Sequence, residues 1–83
     1  MKHARKDYDR IQDPAGKIGE DEPVFLIRAQ DESAPEVLRF WADETVRNGG
    51  DSAAATRAEE WADEMERWQK LNHSKPADMP QGV

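Results

Sequence analysis

Two stretches of this chain repeat their apolar residues with helical period. Between residues 34 and 48, Val37, Trp41, Thr45, Leu38, Ala42 and Val46 sweep a continuous half-cylinder at about 100° per residue. Glu36, Arg39, Asp43, Glu44 and Arg47 occupy the other half. This predicts a helix over about 34–48 that buries the apolar half. In the second stretch, Ala54, Ala58, Trp61, Met65 and Trp68 recur at alternating spacings of four and three, a narrow heptad-like stripe. It predicts a helix over about 53–71 whose stripe is core, small residues leading and large ones following.

The boundaries of both helices carry their own signals. Ser33-Ala34-Pro35-Glu36 reads as an S-x-x-E capping box with Pro in the first turn. Gly49-Gly50 offers a cheap left-handed residue at the end of the first helix, and Asp51-Ser52 offers cap chemistry for the second. So short a connection predicts an antiparallel helical hairpin.

Ahead of the helices, Val24 to Ala29 is a run of Val, Phe, Leu and Ile too short for a helix, and it predicts a strand over about 24–29. Its backbone groups need partners. The expected one is a hairpin with the Tyr8 to Gln12 region around a type I turn at Asp13-Pro14-Ala15-Gly16, and the alternatives are a second copy across a dimer axis or the edge of another protein. The expected fold is therefore α+β, a short β element packed on an antiparallel two-helix hairpin. Its organisation is a charged arm at 1–7, one small domain at 8–72 and a polar tail at 73–83. The strand or the arm is expected to cover Phe40, which otherwise falls in the charged half of the first helix; left uncovered, Phe40 is an aromatic anchor for a partner.

Length and charge narrow the function. At 83 residues there is room for one small core. There are no cysteines, which excludes disulfides, thiol nucleophiles and Cys-ligated metals and fits a reducing compartment. No apolar run reaches the roughly 20 residues that span a bilayer, and the charged start MKHARKDYDR is not followed by a signal-like apolar stretch, so the cytoplasm is the expected location. A net charge of −6 argues against direct binding to nucleic acid. Within it, residues 1–6 are basic through Lys2, Arg5 and Lys6, whereas 7–32 carry eight acids against three cations.

Catalytic chemistry has no evident seat. His3 and His73 lie near the ends, Ser33 and Ser52 are accounted for by capping, and the acids flanking the strand lack calcium-loop spacing. No enzymatic activity, cofactor or metal is expected. The candidate surface is the outer face of the second helix, where Glu59, Glu60, Asp63, Glu64 and Glu66 outnumber Arg57, Arg67 and Lys70. Asp63 with Arg67 and Glu66 with Lys70 are supportive i,i+4 pairs, whereas Glu59 with Asp63 and Glu60 with Glu64 repel at the same spacing. These five acids, with Phe40 and Trp68, are the expected partner-binding residues. The Trp-rich far end of the stripe also suits a dimer or partner seam.

The segments D-E-P-V-F-L-I-R-A-Q-D at 21–31, A-P-E-V at 34–37 and F-W-A at 40–42 resemble a class of short proteins of bacteria and their phages for which no activity is established. The resemblance covers about the first half of the chain. It implies a bacterial or phage-infected cytosol, a setting in which many small acidic proteins bind and block a host complex, anti-CRISPR proteins among them. It carries over no functional residues. The expectation is a protein-interaction module, in its concrete form an inhibitor whose acidic helix face occupies a basic nucleic-acid-binding surface of a host complex. The alternative is a homo-oligomerising accessory protein of a phage or bacterium.

Overall fold

The computed structural model describes residues 1–5, 7 and 12–79. The chain divides into two compact units, one built on Met1–Ile27 with the chain from Asp78 onward, the other on Arg28–Ala77.

In the first unit, β1 (Lys2–His3) pairs in parallel with β2 (Pro23–Val24), in the register Lys2 with Pro23 and His3 with Val24. The amides of Lys2 and Ala4 donate to the carbonyls of Glu22 and Val24 at 2.7 and 3.1 Å. The ladder therefore asks nothing of the N–H that Pro23 lacks, which is why a proline is tolerated there. The N-terminal amine of Met1 extends the pairing by donating to the Glu20 carbonyl at 2.6 Å. Parallel pairing needs a long crossover, which residues 4–22 supply.

This corrects the expected β element in two respects. The strand is confined to the start of the 24–29 run, and its partner is the charged arm in parallel rather than an antiparallel hairpin strand. Of the expected partner region, residues 8–11 lie outside the described residues. Phe25 and Leu26 are exposed, so the apolar run is not sandwiched on both faces. The turn at residues 13–16 forms as expected. The Gly16 amide donates to the Asp13 carbonyl at 3.0 Å with Gly16 in the left-handed region at φ 63°, and the Asp13 carboxylate accepts from the Ile18 amide at 2.8 Å.

In the second unit, α1 (Ala34–Arg47) and α2 (Ser52–Leu71) pack together. Their contacts run in opposite sense along the chain. Arg39 reaches Asp63 at 3.0 Å, and farther from the connection the Gln69 amide donates to the carbonyls of Ala29 and Asp31 at 2.9 and 3.0 Å. Asp31 and Lys75 form a parallel bridge, through Lys75 N to Gln30 O and Glu32 N to Lys75 O, each 2.9 Å. The connection works through its two glycines. Gly49 sits at φ 75°, and a Cβ on Gly50 would lie 2.9 Å from both the Thr45 carbonyl oxygen and its methyl group. Asp51 then caps α2, accepting from the Ala53 amide at 2.8 Å.

At the start of α1 the expected capping box does not form. The Ser33 hydroxyl and amide both turn back to the Asp31 carboxylate, at 2.6 and 2.9 Å, while Glu36 is drawn to Arg39 at 2.8 Å. An Asx-type turn through Asp31 has displaced the box, because an ionised carboxylate two residues back is the stronger acceptor. Pro35 remains in the first turn and is buried.

The core is an alanine seam. Ala34 and Ala42 of α1 and Ala55 and Ala62 of α2 are buried along it, with Leu38, Thr45, Ala58, Met65 and Gln69 half-buried around them. This overturns the expected burial of both apolar faces. The α2 seam follows positions 55, 58, 62, 65 and 69, a face displaced from the 54–58–61–65–68 stripe. Side chains as small as alanine let two backbones approach at the short end of the about 8–10 Å helix-packing range, and an indole does not fit between them. The tryptophans are left on the flanks of the seam.

Candidate interaction surface

Each helix has two flanks beside its seam. On α2, at about 100° per residue, Glu59, Asp63 and Glu66 lie to one side of Ala55 and Ala62, and Trp61 and Trp68 to the other. On α1, Arg39 lies to one side of Leu38 and Ala42, and Val37 and Trp41 to the other. Because Arg39 meets Asp63 and Glu66, those flanks share one side of the helix pair. Val37, Trp41, Trp61 and Trp68 therefore share the opposite side.

The aromatic side is open. Trp41, Trp61 and Trp68 retain 51, 50 and 40% of their surface, and these are all the tryptophans of the chain. The Arg39–Asp63 pair sets the level of one helix against the other, so Trp41, two residues on, and Trp61, two residues back, stand abreast. The Arg57 guanidinium lies 5.2 Å from the Trp61 ring centroid, a cation–π contact at the edge of this side. At up to about 250 Å² per indole, half exposure of three tryptophans amounts to roughly 350 Å² of aromatic surface. That alone is comparable with the largest apolar patches of monomeric proteins, which run about 300–600 Å² and are often functional.

The opposite side is an ion cluster. Arg39 donates to Glu36 at 2.8 Å, to Asp63 at 3.0 Å and to Glu66. Its hydrogen bonds to Glu66, then to Glu36 and Asp63, push the guanidinium still further above its ordinary range. The expected i,i+4 pairs of α2 are thus replaced. Asp63 and Glu66 turn to Arg39 across the seam, and Arg67 binds Glu64 at 2.5 Å, which likewise raises its pKa. These choices also relieve the like-charge repulsions in the sequence, with Glu60 reaching Arg57 at 3.4 Å. Glu59 forms no ion pair with the described residues. Beside the cluster, Glu32, Pro35, Glu36, Glu66, Gln69 and Lys70 line an open groove of about 340 Å³.

The expected site residues are consequently dispersed. Asp63 and Glu66 belong to the ion cluster, and Glu60 and Glu64 to local pairs on the outer face of α2. Trp68 lies on the aromatic side. Phe40 is 67% exposed rather than buried as expected, and it stands about 100° round α1 from Trp41 on the outer surface. The residues missed by sequence reasoning are Trp41, assigned to the core, and Arg39 and Arg57, assigned to solvated faces. A usable signal was present: one helix pair can bury only one seam, and the two stripes together hold more large apolar residues than one seam accommodates.

Among the described residues, no group of three or more His, Asp or Glu is arranged to hold a metal, and no helix is long and apolar enough to cross a membrane. No protein-family model, curated protein or solved structure matches this chain.

Proposed function

We propose that this chain is a non-enzymatic protein-interaction module that meets a macromolecular partner with the Trp41, Trp61 and Trp68 side of its helix pair. The observation that carries this reading is that all three tryptophans of a chain of mean hydropathy −1.04 lie half-exposed on one side of two helices. Leaving indole in water forgoes about 25 cal/mol for each Å² of apolar surface not buried. Tryptophan is also the side chain most often found as an interface anchor.

A second reading has support from the other side. Glu36, Asp63 and Glu66 converge on the single guanidinium of Arg39, leaving that flank net acidic, with Glu59 nearby. An acidic flank suits an inhibitor of the phage type that occupies a basic nucleic-acid-binding surface.

Capture from a nuclease-treated bacterial lysate separates the two. The aromatic reading expects a stoichiometric partner that survives moderate salt and is lost with Trp41→Ala and Trp61→Ala together. The acidic reading expects a nucleic-acid-handling complex lost at moderate salt and with Glu36→Lys and Glu59→Lys together. Asp63 and Glu66 are left intact in that variant because they also tie α2 to α1. A partner indifferent to the tryptophans overturns the first reading; one indifferent to salt and charge overturns the second.

A further inference from the structure

We propose that the occupant of the aromatic side is a second copy of this chain, the two helix pairs closing face to face into an antiparallel four-helix bundle. The inference rests on the aromatic reading above and names its partner. Three observations carry it.

The first is what the helix pair lacks. Its fully buried apolar side chains are Ala34, Ala42, Ala55 and Ala62, apart from Pro35, and none is large. Small scaffolds with so little core commonly reach stability by oligomerising, and a second identical layer would place six indoles in one shared interior.

The second is size. The 20 residues of α2 span about 30 Å and the 14 of α1 about 21 Å, and each helix is about 10 Å across, so the face offers roughly 500 Å² in projection. Stable interfaces use about 800 Å² of accessible surface per partner, which the relief of three tryptophans brings within reach.

The third is charge register. A two-fold axis crossing both helices at the level where Trp41 and Trp61 stand abreast sets Trp61 against Trp61 of the other copy. Trp61 is at the midpoint of α2, so antiparallel α2 helices then bring Arg57 opposite position 65 of the second copy, beside Glu64. Both side chains are exposed and lie on the outer margin of the aromatic side; the ion pairs they now make are local i,i+3 ones that exchange at little cost, and Arg57 also lies over the Trp61 ring. The symmetric operation forms this intermolecular pair twice. A basic partner could answer only Glu64 and an acidic one only Arg57, whereas a second copy answers both.

Sedimentation and tryptophan emission, followed together over about 1 µM to 1 mM, test the pairing, the concentrations being those that bracket the affinity range of transient to moderate association. The expected result is a mass rising from 9.5 kDa to twice that, with a parallel blue shift. Arg57→Glu or Glu64→Arg alone should weaken association about tenfold, and the two together should restore it. These surface changes leave the alanine seam intact, and far-UV circular dichroism confirms that each variant remains helical. A single 9.5 kDa species with constant emission overturns the second copy while leaving the aromatic side open to another protein. Self-association that persists in Trp41→Lys/Trp61→Lys overturns both the pairing and the aromatic reading. Loss in both single charge variants without rescue in the double overturns the antiparallel register.

Discussion

At the scale of single residues, this chain shows how cap signals are decided by the nearest ionised acceptor. Ser33 and Asp51 both read as caps, but only Asp51 holds a helix amide, while Ser33 turns back to Asp31. Asp51→Ala should therefore destabilise the protein by about 1 kcal/mol in urea unfolding, and Ser33→Ala by clearly less than Asp31→Ala. Glycine was legible wherever the backbone demanded it. Gly49→Ala forces a side chain into φ 75° with nothing else in its way, and should cost about 1 kcal/mol. Gly50→Ala meets a different obstacle, the Thr45 carbonyl that accepts the Gly50 amide at 2.8 Å and would lie 2.9 Å from the new Cβ, and should cost more. The two carbonyls held by Gln69 had no signature, because a glutamine reaching loop segments some 40 positions away leaves no local pattern. Gln69→Leu should cost about 1–3 kcal/mol, the penalty for orphaning part-buried carbonyls.

At the scale of elements, both helices and their limits were legible to within a residue or two, since period, proline and glycine act locally. The buried faces were not. Hydrophobicity ranked Trp61 and Trp68 above Ala55 and Ala62, whereas close approach between two helices selects small side chains. Enlarging the seam with Ala62→Leu or Ala42→Leu should therefore destabilise the helix pair by about 1–3 kcal/mol despite the added hydrophobicity, measured by thermal or urea unfolding. A core made of the tryptophan stripe would tolerate that change. The β element was legible as an apolar run and misread in pairing, because the partner lies 21 positions away in a charged segment with no strand pattern of its own.

At the scale of the whole molecule, charge distinguishes the two kinds of partner. Two copies at −6 each repel at long range, so raising ionic strength from about 0.01 to 0.15 M, which shortens the screening length from about 30 to 8 Å, should tighten self-association. Binding of the acidic flank to a basic surface should weaken over the same range. Sedimentation across a salt series reads the first effect, and captured yield reads the second.

What the sequence determined by itself was whatever depends on neighbours within about a turn: two helices, their glycine stop and aspartate cap, the turn at residues 13–16, and the lack of cysteine chemistry. It also contained the surplus of acids and aromatics without locating either. Only the tertiary structure decided which small residues form the seam, that the charged arm pairs with Pro23–Val24, that Arg39 gathers Glu36, Asp63 and Glu66, and that three tryptophans share one open side. These outcomes depend on distances across the chain. A helix flank is covered or exposed according to what packs beside it, and the pattern within one helix does not encode that.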